Sequence, residues 1–215
     1  MSEPIPDWLT ERCTSRGGVP ILIRPLRDDD APRERVFIDG LSPASLYQRL
    51  LGTVKEVTDE QVAELVRQGW PQRLGLAAFG VGAGSDRAEG EPPAATAGEA
   101  PESMAGGAAT LSDEDDLLGV ARFDASDRPG AAEFAIVVTD RWQRHGIGYA
   151  LFQRLVRAAR AAGYRELVGT TYAVNRDMIE LARSYGFEVG PEEGEPSLRR
   201  LTLVLNDRAG AGRIR

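Results

Sequence analysis

The chain has 215 residues, a hydrophobic content of 42% and a formal net charge of −7, which suits one domain with a sizeable core. The acidic balance excludes the basic footprint of a nucleic-acid-binding protein, and no apolar run reaches the length of a membrane helix. A single cysteine and the lack of a signal-peptide pattern indicate a cytoplasmic protein. With only one histidine beside that cysteine, we expect no metal site.

The first part of the chain alternates between strand and helix signals. Residues 1–18 are interpreted as a loose N-terminal arm, and the apolar run at residues 19–26 predicts a first strand. The three aspartates at residues 28–30 favour a helix directly after them, because negative charge stabilises a helix N-terminus. The Ser-Pro pair at residues 42–43 predicts a second helix start. The Thr-x-x-Gln pattern at residues 58–61 is a capping box and predicts a third.

The middle of the chain changes abruptly in composition. Residues 74–81 predict a further strand, but residues 83–109 consist mainly of Gly, Ala, Pro, Glu and Ser, with Met104 as the single large apolar side chain. Such a segment cannot bury enough surface to offset the entropy of ordering it. We therefore interpret residues 83–109 as a disordered insertion, followed by an acidic turn at residues 113–116.

The last part of the chain carries the strongest periodic signals. Strands are predicted at residues 117–123, 131–138, 167–173 and 198–205, and helices at residues 146–162 and 175–185. Arg-Pro-Gly at residues 128–130 is typical of a hairpin turn. The order predicts one mixed α/β (α+β) domain over residues 19–206, with a central sheet that is partly antiparallel, partly parallel and flanked by helices. Residues 207–215 form a C-terminal tail.

The most informative segment joins the strand at residues 131–138 to the following helix through the sequence QRHGIG, residues 143–148. Glycines at a strand-to-helix junction let the backbone approach a phosphate closely. The free N–H groups and the positive dipole end of the helix then hold the anion. A tight structural turn explains the same glycines equally well, so the residues alone leave both interpretations open.

This segment resembles the Gln/Arg-x-x-Gly-x-Gly/Ala signature of the GCN5-related N-acetyltransferases, the GNAT family. The resemblance runs from residue 132 to residue 189 and includes Asn175 and the pair Gly186-Phe187. It implies a GNAT fold with acetyl-CoA as cosubstrate. The residues it implies for cofactor binding are Ile136, Val137, Val138, Gln143, Arg144, His145, Gly146, Ile147, Gly148 and Asn175.

A finer resemblance covers residues 17–49 and the triplet Glu133-Phe134-Ala135, which are similar to the acetyltransferase domain of bacterial protein lysine acetyltransferases. It implies that Glu133 is a general base. A lysine ammonium, with a pKa of about 10.4, must lose a proton before it attacks a thioester. The apolar neighbours of Glu133 lead us to expect partial desolvation and a raised pKa. A surface-facing glutamate is the structural alternative.

The acceptor is the least determined part of the assignment. The resemblance implies a lysine on another protein, such as an acyl-CoA synthetase. A small amine, or a regulatory role that binds acyl-CoA without turnover, remains open. Many family members carry a tyrosine four residues before the Gly-Phe pair as a general acid. That position is Ala182 in this chain, and Tyr185 does not align with it, so no general acid is assigned.

Overall fold

The computed structural model describes residues 3–50, 57–81 and 116–205. These residues form helices and strands that follow the predicted order closely. The helices are α1 (Ala31–Asp39), α2 (Pro43–Leu50), α3 (Asp59–Val66), α4 (Ile147–Ala161) and α5 (Arg176–Ser184). The strands are β1 (Glu11–Thr14), β2 (Pro20–Pro25), β3 (Arg73–Gly80), β4 (Leu117–Ala125), β5 (Ala131–Val138), β6 (Glu166–Tyr172), β7 (Glu188–Glu192) and β8 (Glu195–Val204).

All eight strands belong to one open sheet in the order β1-β2-β3-β4-β5-β6-β8-β7. Every neighbouring pair is antiparallel except β5 and β6, which are parallel. The mixed sheet predicted from the sequence is therefore confirmed. Its single parallel pair lies at the centre, where α4 supplies the crossover between the two strands.

Helices cover both faces of the sheet and divide the core into two clusters. On one face α4 packs through side chains that are fully buried, Ile147, Leu151, Phe152 and Leu155. On the other face α1 and α3 pack against the sheet through Phe37, Ile38, Val62 and Val66. Because these apolar residues recur at helical spacing, each helix buries one face against the sheet. The sheet therefore lies between two layers of helices.

The two short edge strands were not predicted. Residues 1–18 were expected to be a loose arm, but β1 pairs with β2 in four register positions and Leu9 is fully buried. β7, which pairs with β8, is missing from the predicted elements. Both strands bury few side chains, so neither carries the apolar alternation that marks a half-buried strand.

Several predictions fall outside the part of the chain that the structure describes. These are the insertion at residues 83–109, most of the acidic turn at residues 113–116 and the tail at residues 207–215. Within the described ranges, no helix is long and apolar enough to cross a membrane.

Candidate active site

The centre of the sheet opens where β5 and β6 stop pairing. The parallel ladder contains only three register pairs and ends with Glu133 opposite Val168. β5 continues to Val138 and β6 to Tyr172, so both strands extend beyond the last pair. Beyond that point, the β5 backbone groups that face β6 have no partner strand among the described residues. An extended ligand with amide groups can therefore pair with them.

A cluster of aromatic rings packs at the point where the two strands separate. The Phe134 ring lies 5.1 Å from the Phe152 ring and 5.3 Å from the Phe187 ring, measured between centroids. It also contacts β6 at Gly169, where an added Cβ would come within 2.6 Å of the ring. Only glycine permits this approach, so the start of the opening is fixed by packing in the core.

A cavity of about 1120 Å³ extends from this opening to the start of α4. It brings together most of the residues that the sequence predicted for the site. Those that line it are Glu133, Ile136, Val137, Val138, Gln143, Arg144, Gly146, Gly148 and Asn175. Two predicted residues do not line it. Ile147 is fully buried in the core, and His145, although part of the loop, is exposed outside the cavity.

The loop at residues 143–148 has the backbone conformation of an anion site. Gly146 is left-handed with a φ of 79°, and Arg144 also has a positive φ of 61°. α4 starts at Ile147, so its first N–H groups follow the glycine turn directly. Free N–H groups and the helix dipole both favour negative charge there. The cavity and this helix start therefore fit an extended ligand that ends in phosphates.

The side chain of Gln143 stabilises the loop rather than pointing away from it. Its Nε2 donates hydrogen bonds to the carbonyl of Val138, at 3.1 Å, and to Ser45 Oγ, at 3.3 Å. Asp140 accepts from the Ser42 backbone and from the hydroxyls of Ser42 and Ser45, at 2.7 to 2.9 Å. These bonds outweigh the desolvation of Asp140 and lower its pKa. They join α2 to the loop.

The opposite end of the cavity, the acid end, is lined by Glu64, Asp124 and Glu133 together with three arginines, Arg67, Arg73 and Arg122. Glu133 is exposed, so the expectation of partial desolvation is wrong for the free protein: its neighbours Phe134 and Ala132 point to the other face of the sheet. Asp124 of β4 lies directly opposite Glu133 in the antiparallel register. Arg73 bridges Asp124 to Glu64 of α3, and the three side chains line the cavity with Glu133.

The arginine in this cluster is held by its two carboxylate partners. The hydrogen bond that Arg73 donates to Glu64, and further the one that it donates to Asp124, raise the pKa of Arg73. The same bond lowers the pKa of Glu64. Arg73 is paired with both Asp124 and Glu64, so these two carboxylates compensate its positive charge. Among the described residues, no hydrogen bond or ion pair involves the Glu133 carboxylate, which leaves it available to a substrate.

Tyr185 takes no part in the cavity. Its hydroxyl donates to the backbone carbonyl of Tyr149 at 2.8 Å. Burial, together with Tyr149, raises the pKa of Tyr185 far above its ordinary value. Ala182 is fully buried and carries no polar group. Asn175 caps α5 through Met178 N and donates to Thr171 Oγ1, so it orients the segment after β6.

Comparison with known proteins identifies a family to which the sequence is similar. The sequence model of the Acetyltransferase (GNAT) family matches residues 83–187. An acetyltransferase of Pseudomonas aeruginosa is 29% identical over 187 residues, which cover 85% of this chain and 84% of that protein. Together with the loop and the splayed strands, these matches show that the chain is similar to the GNAT family. They indicate an N-acetyltransferase, and the GNAT family uses acetyl-CoA as the acetyl donor.

Solved structures show the same fold. The GNAT domain of the Streptomyces lividans protein acetyltransferase PAT superposes with a TM-score of 0.72 at 22% identity, covering 94% of this chain and all of that domain. YncA of Salmonella typhimurium, determined with acetyl-CoA, has a TM-score of 0.57 at 18% identity over 88% of this chain and 96% of that one. A cAMP-binding acyltransferase of Mycobacterium smegmatis has a TM-score of 0.53 at 16% identity, and this chain covers 47% of it.

Within the described residues, no group of three or more His, Cys, Asp or Glu side chains could hold a metal ion. The residues that sequence analysis missed are the acid-end partners Glu64, Arg73 and Asp124, and the turn residues Arg16 and Gly17, which line the cavity beside the loop. The Arg-Gly-Gly sequence at residues 16–18 indicates a turn, but nothing local indicates that the turn reaches residue 145.

Proposed function

We propose that the protein transfers the acetyl group of acetyl-CoA to the side-chain amine of a lysine on another protein, with Glu133 as the general base. The observation that carries this proposal is the position of Glu133. It lies in the last register pair of β5 and β6, inside the same cavity as the loop at residues 143–148. A carboxylate at that point is next to the opening into which a thioester would extend.

The cofactor is expected to lie along β5. Backbone amides of the loop and of the α4 N-terminus would bind the diphosphate. The backbone groups of Ile136 and the N–H of Val138, which face away from β4, would pair with the amides of the pantetheine arm. Gly148 leaves room for this ligand, since a Cβ there would meet Val138 and Leu181 only at ordinary contact distances of 3.6 and 3.7 Å. Asn175 and the segment after β6 form the opposite wall.

The chemistry follows from this arrangement. The Glu133 carboxylate takes a proton from the lysine ammonium, directly or through water, and the free amine attacks the thioester carbonyl. The C–N bond forms first and gives a tetrahedral intermediate. Its collapse breaks the C–S bond, coenzyme A leaves as the thiolate, and the thiolate takes up the second proton of the nitrogen, directly or through water. A backbone N–H of β5 can stabilise the oxyanion of the tetrahedral intermediate. The thiolate is a sufficient leaving group near neutral pH, so the mechanism does not require a tyrosine acid.

The Glu133 carboxylate, which pairs with no other side chain among the described residues, supports a cationic acceptor. Cross-strand neighbours in an antiparallel pair lie about 4.5–5.5 Å apart at Cβ, so Asp124 and Glu133 form a carboxylate pair on one face. Like charges placed directly opposite are unfavourable without a compensating group. Arg73 compensates in part, and an incoming ammonium group would compensate further. The fold shared with the GNAT domain of a protein acetyltransferase favours a protein lysine among cationic amines.

The decisive experiment compares acceptors in one assay with saturating acetyl-CoA. A folded acyl-CoA synthetase, its lysine peptide, free lysine, spermidine and an aminoglycoside are offered in parallel. A protein substrate gains transition-state binding from surface outside the reacting lysine, so the folded target should have the highest kcat/KM. If a small amine reaches about 10⁴ M⁻¹s⁻¹, an ordinary value for a true substrate, while the proteins stay unlabelled, the lysine proposal is wrong.

A further inference from the structure

The turn between β1 and β2 is attached to the loop at residues 143–148. Gly17 N donates to the carbonyl of His145 at 3.0 Å, and the Ser15 hydroxyl donates to the same oxygen at 2.6 Å. Ser15 is buried and also accepts from Val19 N at 3.2 Å, which closes the turn. A Cβ on Gly17 would come within 2.7 Å of the His145 carbonyl oxygen, so this approach requires glycine.

This attachment places Arg16 beside the start of α4. The Arg16 guanidinium carbon lies 3.2 Å from the centre of the Tyr149 ring, in the first turn of that helix. The backbone of Arg16 lies next to Gly146, where an added Cβ would come within 2.8 Å of it. Arg16 lines the same cavity as the loop. It is exposed, and it makes no ion pair with a carboxylate among the described residues.

We propose that Arg16 is a further ligand for the phosphate groups of acetyl-CoA, supplied by the N-terminal turn rather than by the loop motif. The donor carries a diphosphate and a 3′-phosphate, and backbone N–H groups neutralise only part of that charge. Guanidinium groups bind phosphate through paired, charge-assisted hydrogen bonds. Arg16 has its charge uncompensated by a carboxylate and its backbone held against Gly146, so little ordering is needed when the anion binds.

The stacking on Tyr149 is compatible with this role. A guanidinium that lies flat over a ring keeps the N–H groups at its edge free to donate in the plane. The ring therefore fixes the plane of the Arg16 side chain and leaves its donors available. The inference rests on the proposed site for acetyl-CoA and is independent of the acceptor and of Glu133.

The test measures donor affinity by calorimetry for the wild type, Arg16→Ala and the control Arg141→Ala. Arg141 is exposed, lies two residues before Gln143, pairs with Asp116 at 2.6 Å and does not line the cavity, so it reports the effect of removing a charge near the loop without a cavity contact. Arg16→Ala should raise the Kd for acetyl-CoA about tenfold, in line with the loss of one charged hydrogen-bonding group. Arg141→Ala should change that Kd less than twofold.

The same titrations with acetyl-dephospho-CoA, which lacks the 3′-phosphate, locate the contact. A loss seen only with acetyl-CoA assigns Arg16 to the 3′-phosphate, and an equal loss with both donors assigns it to the diphosphate. An unchanged Kd in Arg16→Ala overturns the proposal. It is also overturned if Tyr149→Leu, which keeps the arginine but removes the ring, weakens binding as much as Arg16→Ala. The inference does not involve the acceptor or Glu133, so an unchanged Kd here leaves the acceptor proposal standing.

Discussion

The two ends of the cavity are built in different ways. The loop end consists of six consecutive residues, 143–148, and offers a proposed ligand mainly backbone N–H groups beside a left-handed glycine. The acid end consists of Glu64, Arg73, Asp124 and Glu133, which come from one helix and three strands and act through side chains. A backbone site depends on local conformation. A side-chain site depends on the register of the whole sheet.

This difference predicts how the two ends respond to mutation. At the loop end, a substitution should act through shape and charge beside the phosphates and so change donor affinity. At the acid end, a substitution that preserves shape should change proton transfer or amine affinity and leave donor binding intact. Four variants test this division, beginning with the one for which we expect the largest effect.

Glu133→Gln keeps the size of the side chain and removes the base. We expect kcat to fall by about 10² to 10⁴ at neutral pH, the range for general-base catalysis, with the KM for acetyl-CoA unchanged. The loss should shrink towards pH 10, where more of the amine is deprotonated without help. Steady-state kinetics across this pH range gives the measurement.

The matched control is Glu60→Gln, an exposed position on α3 that does not line the cavity. It should keep wild-type kinetics. Near-wild-type turnover of Glu133→Gln at pH 7 would remove Glu133 from the mechanism. A large rise in the KM for acetyl-CoA would show instead that the two ends cannot be separated.

Gly148→Glu tests the loop end. The new carboxylate would stand beside the diphosphate, and like charges at an interface cost several kcal/mol, so we expect affinity to fall about a hundredfold. In the wild type, acetyl-CoA at 100 times its Kd should stabilise the fold by about 2.7 kcal/mol, and the same concentration should stabilise the variant by only about 0.4 kcal/mol. Thermal unfolding with and without acetyl-CoA is the measurement.

Gly148→Ala is the control for this variant. A Cβ at residue 148 meets its neighbours at 3.6 Å or more, so the alanine should fold normally. If alanine and glutamate weaken binding equally, bulk rather than charge is responsible. If neither weakens it, acetyl-CoA does not lie against this glycine.

The contrast between the ends also explains what the sequence could predict. The strand at residues 131–138 and the loop at residues 143–148 were found because apolar runs and glycine spacing are local signals. At the acid end, sequence analysis identified only Glu133. Asp124 and Glu64 meet Arg73 through the register of β3 and β4 and the packing of α3, and these are not local signals. β1 was missed because an edge strand with little burial has almost no pattern.

Asp124→Asn tests whether the partner of Glu133 recognises the acceptor. It removes one of two carboxylates that face an incoming ammonium group, so the KM for the amine should rise about tenfold. The kcat and the KM for acetyl-CoA should stay within about twofold. Asp127→Asn, in the exposed turn after β4, makes the same chemical change outside the cavity and should have no effect.

Asp124 also holds Arg73, so a second variant separates recognition from structure. Arg73→Gln keeps the Asp124 carboxylate and removes its partner. If Asp124 binds the amine directly, this variant should not raise the KM for the amine. An increase as large as that of Asp124→Asn would show that the ion pair matters only for the local fold.

Asp140→Asn tests the attachment of α2 to the loop end and should have the smallest effect. Its carboxylate holds the start of α2, and Ser45 passes the contact on to Gln143 of the loop. An asparagine keeps one acceptor oxygen and loses the other, so we expect a loss of stability below about 1 kcal/mol, since the site is largely exposed. Looser attachment of α2 should raise the KM for the amine about twofold to threefold and affect acetyl-CoA less.

The pH dependence of the free energy of unfolding tests the same contact independently. The pKa of Asp140 is lower in the folded protein than its ordinary value of about 3.9. The ionised group therefore stabilises the fold above that ordinary value, and this contribution is lost as the pH falls through the lower, folded pKa. Between pH 6 and pH 3 the wild type should lose more stability than Asp140→Asn, and their curves should converge in acid. Parallel curves over that range would show that the bonds from Ser42 and Ser45 do not hold α2. The attachment of α2 to the loop would then not depend on the Asp140 carboxylate.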